Sequence, residues 1–174
     1  MIQGITDTRL DATGVRQCLA LGERIRDIPF DIAFTSPLLR GCQTLALILS
    51  KKSIHDRPIC VTDARIIEFD YGGGEGTHPA ECLKNVYGKR PNPDPTDAET
   101  TASVEQRVAS FFDEILSKFP DKRILVITHA GFLRVASRYF TGEPADRDYT
   151  KAPRFKNCEM AIFNPKSKQF MRKQ

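Results

Sequence analysis

The chain has no CxxC pair, no GxGxxG fingerprint, no apolar run of membrane-spanning length, no secretory signal and no internal repeat. Each absence removes a class of protein. Cys18, Cys42, Cys60, Cys82 and Cys158 are odd in number and unpaired in spacing. That argues against a disulfide framework or a zinc site and fits reduced thiols in a cytosol-like compartment. Without a long apolar segment, no membrane span is expected and a cytoplasmic location is. Without GxGxxG after an opening strand, a Rossmann dinucleotide fold is disfavoured. A dominant charge is missing too: the net charge of +4 comes from scattered basic residues, and only residues 166–173 are locally basic. That stretch reads as a solvated tail, so no nucleic-acid partner is expected. What remains is 174 residues of ordinary globular composition, enough for a single domain spanning 1–174.

The most informative stretch is residues 123–134, RILVITHAGFLR. Ile124, Leu125, Val126 and Ile127 read as a buried strand of a parallel sheet. Thr128-His129-Ala130-Gly131 stops the run, and Phe132, Val135, Ala136 and Tyr139 then recur at helical spacing. A polar group at the carboxyl end of such a strand lies where open α/β sheets bind ligands. The helix start beside it offers free N–H groups and a positive dipole end, which suits an anion. His129 is therefore a candidate site residue, and an imidazole capping the following helix is the alternative.

Residues 1–10 read as loop. Thr13 is the expected N-cap of a helix with Val15, Cys18, Leu19, Gly22 and Ile25 inward, ended by Pro29. Residues 30–35 read as a strand, followed by a helix with Pro37 in its first turn. Arg40 and Thr44 share one side of that helix. Arg40 can offer its guanidinium to a phosphate or carboxylate, or serve as a surface ion-pair partner. Residues 58–62 read as a strand. Glycine is abundant at only one place, Gly72-Gly73-Gly74-Glu75-Gly76, a loop that lacks the Lys-Ser/Thr of a nucleotide P-loop. Glu68, just upstream, is a candidate general acid if its surroundings raise its pKa. Residues 77–100, rich in Pro, Asn and Asp, read as a lid-like excursion with a short helix near 80–86. Residues 101–119 form a strongly amphipathic helix, 141–153 a polar connection, and 157–163 a last strand. Strands alternate with helices throughout, which predicts a three-layer α/β/α sandwich with a mostly parallel sheet.

Five segments, in order, resemble the histidine phosphatase superfamily. Residues 35–44, TSPLLRGCQT, resemble its SxLxRAxQT motif, and residues 3–14 its QGxxDxPLTxxG loop. Residues 68–76 resemble ExxxGxxEG, Glu99 and Arg107 the ES…R segment, and residues 127–131 the V-S-H-G-G strand end. The resemblance implies a phosphoglycerate-mutase-like fold and a metal-free, cofactor-free phosphomonoesterase. It implies that Arg40 and His129 bind phosphate, that Glu68 and His129 are catalytic, and that Gln3, Gly4 and Thr6 line the substrate loop. The short excursion after Gly76 favours a phosphatase over a glycolytic mutase. The expected partner is a phosphorylated small molecule or a phosphoprotein.

The same resemblance also carries a departure. The family's first strand ends in Arg-His-Gly, whose His becomes phosphorylated. That motif and its strand are missing from this sequence, and the other histidines, His55 and His78, lie in connecting segments. The expectation is a sheet lacking its first strand, with exposed edges, and a domain inactive or impaired as written. An incomplete sequence whose full form carries the strand, and a phosphate-binding or interaction domain without catalysis, are the alternatives. A second chain filling the gap would favour homo-oligomers.

Overall fold

Three short runs of mostly β-branched residues lie side by side in parallel. They are β1 (Ile32–Thr35), β2 (Ile59–Thr62) and β3 (Ile124–Ile127), in the order β2-β1-β3. Ile32 sits beside both Ile59 and Ile124, and Thr35 beside both Thr62 and Ile127. This computed structural model describes residues 1–78, 97–142, 154–167 and 169–173. The helix expected near 80–86, and residues 143–153 of the expected polar connection, lie outside the described residues.

Two helix pairs cover the sheet. On one face, α1 (Ala12–Arg24) and α2 (Leu39–Leu49) pack Leu21, Leu45, Ile48 and Leu49 with Ala33 and Ile127. On the other, α3 (Thr101–Lys118) and α4 (Ala130–Thr141) pack Val104, Val108, Phe111, Phe112, Phe132 and Val135 with Phe34. Ala33 and Phe34 are neighbours in β1 and point to opposite faces, as strand geometry demands. A strand covered on both sides must be apolar throughout, which is why β1 and β3 show no alternation. The expected three-layer arrangement is present. A Cβ at Gly22 would lie 2.9 Å from the Ile48 carbonyl oxygen, so glycine sets how closely α1 approaches α2.

Local details differ from the sequence reading. Asp11, not Thr13, is the N-cap of α1: its carboxylate accepts from Gly14 N at 2.6 Å. The helix ends at Arg24, well before Pro29. Pro37 lies outside α2, whose first N–H, on Leu39, is capped at 2.7 Å by the Asp7 carboxylate from the opening loop.

The C-terminal region differs most. Instead of one strand and a solvated tail there is an antiparallel hairpin of β4 (Met160–Asn164) and β5 (Gln169–Lys173). Phe163 and Phe170, a cross-strand pair, stack on Phe140 of α4 at 4.0 and 5.9 Å. Arg172 bonds to Glu159 at 2.7 Å and covers the Phe155 ring. These contacts hold a segment whose composition alone reads as polar.

The hairpin forms its own sheet, and among the described residues β3 pairs only with β1. The edge strand β2 is exposed along its length. Among the described residues no helix is long and apolar enough to cross a membrane.

Candidate functional site

Parallel pairing brings the carboxyl ends of β1 and β3 together. Just beyond them, Ser36 N donates to Ile127 O at 3.0 Å, so the two chain exits stay adjacent. His129 leaves β3 here and Ser36 leaves β1, and their side chains meet: Nε2 lies 2.7 Å from Ser36 Oγ. Ser36 Oγ also accepts from Leu38 N at 3.3 Å. Both side chains are buried. Burial, with the positive charges of Arg40 and Arg107, pushes His129 down to about 3. The ring is neutral at physiological pH.

His129 occupies the N-cap position of α4 without a side-chain cap bond. The helix start is satisfied by Glu68 instead. Its carboxylate accepts from Phe132 N at 3.0 Å, Gly131 N at 3.1 Å and its own neighbour Phe69 N at 2.8 Å. The anion that the sequence suggested for this dipole end is thus a side chain of the protein. Burial pushes Glu68 above the usual carboxylate range, against the pull of these three N–H groups and Arg40. A carboxyl balanced in this way can carry a proton nearer neutrality than a free one.

A buried clamp positions Glu68 from behind. Arg107 donates to both oxygens of Glu99 at 2.8 Å, and to the backbone carbonyls of Arg65, Ile67 and Glu68 at 2.8, 2.8 and 3.2 Å. Its guanidinium lies over the Phe132 ring. Thr128 Oγ1 donates to Ile66 O at 2.7 Å, tying the β3 exit to the same segment. The Glu99 and Arg107 pairing seen in sequence is therefore a bidentate bridge.

Arg40 faces the opening loop. It donates to Thr6 O at 2.8 Å and Gly4 O at 2.5 Å. Among the described residues these two bonds engage two of its five N–H donors. Burial lowers its pKa, against the attraction of Glu68, Asp7 and Glu75.

The loop itself is held by Glu75, whose carboxylate accepts from Ile5 N at 2.7 Å, Thr6 N at 2.9 Å and the Thr6 hydroxyl. Burial pushes Glu75 up, and these donors more than reverse it, leaving it below the usual range. Gly4 has φ +56°, and a Cβ there would fall 1.8 Å from Glu75 Oε1. Ile2 N donates to Thr77 O at 2.9 Å and Gly76 N to Ile2 O at 2.8 Å, so the glycine-rich loop and the opening loop are one unit.

The structure thus brings Arg40, Glu68 and His129 to one end of the sheet, with Gly4 and Thr6 against Arg40. The side chains of Gln3 and Thr6 are turned into the loop, toward Thr8 and Glu75. Ser36, Glu75 and Asp7 were not singled out as site residues in the sequence. The signal for Ser36 was its place one residue past a buried strand. His55 lies in a turn at Ile54–Asp56, at the amino end of β2 and so at the opposite end of the sheet. His78 is exposed, next to Thr77.

Comparison with known proteins agrees with the fold. Residues 1–173 match the sequence model of the histidine phosphatase superfamily (branch 1). The uncharacterized phosphatase PhoE of Bacillus subtilis is 29% identical over 153 residues, covering 86% of this chain and 73% of that protein. Bacillus stearothermophilus YhfR superposes with a TM-score of 0.80 at 20% identity, covering 98% of this chain and 86% of that one. A mycobacterial glucosyl-3-phosphoglycerate phosphatase in complex with VO3 superposes with a TM-score of 0.76 at 17% identity, covering 98% of this chain and 88% of that one.

Proposed function

This chain belongs to the histidine phosphatase superfamily (branch 1), and from that premise we propose that the Arg40, Glu68 and His129 end of the sheet binds the phosphoryl group of a phosphomonoester. One observation carries the reading: the half-buried Arg40 guanidinium, the Glu68 carboxylate at the start of α4 and the His129 ring come together at the carboxyl ends of β1 and β3. Arg40 takes equatorial oxygens of the phosphate. His129, neutral when the site is empty, gains a proton as the dianion arrives and adds a second charged donor. Glu68 protonates the leaving alkoxide.

The phosphohistidine route implied by the resemblance needs a ring nitrogen in line with phosphorus. His129 Nε2 is bonded to Ser36 Oγ, and the resemblance to the family puts this ring beside the phosphate rather than behind it. His55 is at the far end of the sheet and His78 is on the surface. The 174 residues therefore supply the phosphate cradle and the acid, and efficient turnover requires a further nucleophile. This favours, for the chain alone, binding of phosphorylated small molecules or phosphoprotein segments over hydrolysis.

The test is hydrolysis of p-nitrophenyl phosphate by the folded, monodisperse chain, with Glu68→Gln and His129→Asn alongside. We expect no turnover above the two variants, while orthovanadate raises the Tm of the unsubstituted protein. Turnover abolished in both variants would overturn the binding-only reading and make this an active phosphatase. The absence of both turnover and a vanadate-induced shift would overturn the phosphate site itself.

A further inference from the structure

Away from this site, two cysteines far apart in sequence face each other. Cys18 Sγ on α1 lies 3.7 Å from Cys158 Sγ, in the turn that leads into β4. Neither is disulfide-bonded, and Cys18 is buried while Cys158 is half-buried. Cys158 has φ +56°, a left-handed conformation uncommon for a residue with a side chain. A cavity of about 240 Å³ opens beside the pair, lined in part by Gln17, Arg24, Lys156, Cys158 and Glu159. The Gln17 amide oxygen is buried beside it without a hydrogen-bond partner among the described residues. Cys158 is thus reachable from a cavity lined by two basic side chains, and Cys18 stands directly behind it.

We propose that Cys18 and Cys158 form a thiol-modification site that low-molecular-weight disulfides oxidise to an intramolecular disulfide. The pair loses one proton to solvent, the remaining proton passes to Cys18 across the shared hydrogen bond, and the Cys158 thiolate attacks one sulfur of the small disulfide. The old S–S bond breaks and one small thiolate leaves, taking up a proton. The thiolate of Cys18 then attacks the Cys158 sulfur of the mixed disulfide and expels the second small thiolate. Two protein thiols are oxidised by two electrons, and one small disulfide becomes two thiols. The two sulfurs share a hydrogen bond in which either can be the donor. The shared bond lowers Cys18 to about 6 and pushes Cys158 well up. The pair therefore gives up its first proton from Cys18, and the cavity-facing sulfur becomes the nucleophile when the remaining proton crosses the bond to Cys18.

The bond would join α1 to the C-terminal hairpin across nearly the whole chain. It would also remove the Cys18 S–H donated to Thr44 Oγ1, which itself bonds to Arg40 O at 2.7 Å. The modification therefore lies one hydrogen-bonded step from the helix turn that carries Arg40.

The experiment incubates the intact chain with oxidised and reduced glutathione at fixed ratios, then maps modified peptides by mass spectrometry. We expect a peptide pair linked through Cys18 and Cys158, no retained glutathione on either, and a Tm raised by roughly 5 °C that dithiothreitol reverses. Cys18→Ala should stall with one glutathione on Cys158, and Cys158→Ser should leave Cys18 unmodified. Linkage of Cys18 or Cys158 to another cysteine, or both remaining reduced while Cys42 or Cys60 is modified, would overturn the proposal. The mapping of the unsubstituted chain decides this even if a variant fails to fold.

Discussion

His129 Nε2 and Ser36 Oγ sit 2.7 Å apart because β1 and β3 end in register, Thr35 beside Ile127. A displacement of either strand by one residue would turn one of the two side chains to the other face of the sheet. The neutral state of the ring follows from this enclosure, and it has a measurable consequence.

His129 titrates far below its unfolded value of about 6.5. The unfolded chain therefore binds the proton first as pH falls. The contribution of this depressed pKa is complete above pH 6.5 and is lost as pH falls toward 3. Comparing the protein with His129→Asn by urea unfolding cancels the other titrating groups. The stability difference should narrow by up to about 1.4 kcal/mol per pH unit between pH 6 and 4. A constant difference over that range would show that the ring protonates freely in the folded state.

Arg107 is predicted to act on stability and on the site together. Its guanidinium joins Glu99 to the carbonyls of Arg65, Ile67 and Glu68, largely out of solvent. Arg107→Ala leaves the Glu99 carboxylate and three carbonyls short of donors, and should cost roughly 3 kcal/mol in chemical denaturation. Arg107→Lys retains the charge but not the bidentate geometry, and should recover less than half of that. Recovery to the original stability would mean that charge alone matters here.

Gly4→Ala should disorganise the opening loop. The new methyl would collide with Glu75 Oε1, and φ +56° penalises any side chain. Displacing Glu75 frees the Ile5 and Thr6 amides and loosens the carbonyls that hold Arg40. We expect a loss of about 1–3 kcal/mol of stability, with faster amide exchange at Ile5 and Thr6. Unchanged exchange at those two amides would separate Glu75 from the loop's order.

Much of this arrangement was legible in the sequence. Residues 124–127 announced a fully buried strand; the strand is there, though only Ile127 is buried and the other three are half-buried. The abrupt stop at Thr128-His129 placed a polar group at its carboxyl end. Arg40 stood at a comparable junction, Glu68 just upstream of the glycine-rich loop, and the ordered segments pointed to one family. Tertiary partners were not legible. Nothing local says that Asp7 caps α2, or that Glu75 reaches back about seventy residues to Ile5 and Thr6. Nor does the sequence show that Glu68, rather than a ligand, occupies the start of α4. Phe170 and Arg172 read as part of a basic tail because two side chains give too weak an alternation. Packing on Phe140 and Phe155 makes them a strand.

The most direct test of the central claim, that Arg40, Glu68 and His129 form a phosphate site, is orthovanadate titration followed by NMR of the His129 ring. With an empty site, the His129 Cε1–H resonance should be that of a neutral imidazole from pH 5 to 8. Saturating vanadate should convert it to the imidazolium position at pH 7, and Arg40→Ala should weaken the effect at least tenfold. A His129 resonance that ignores vanadate, or one that responds equally in Arg40→Ala, would contradict the account.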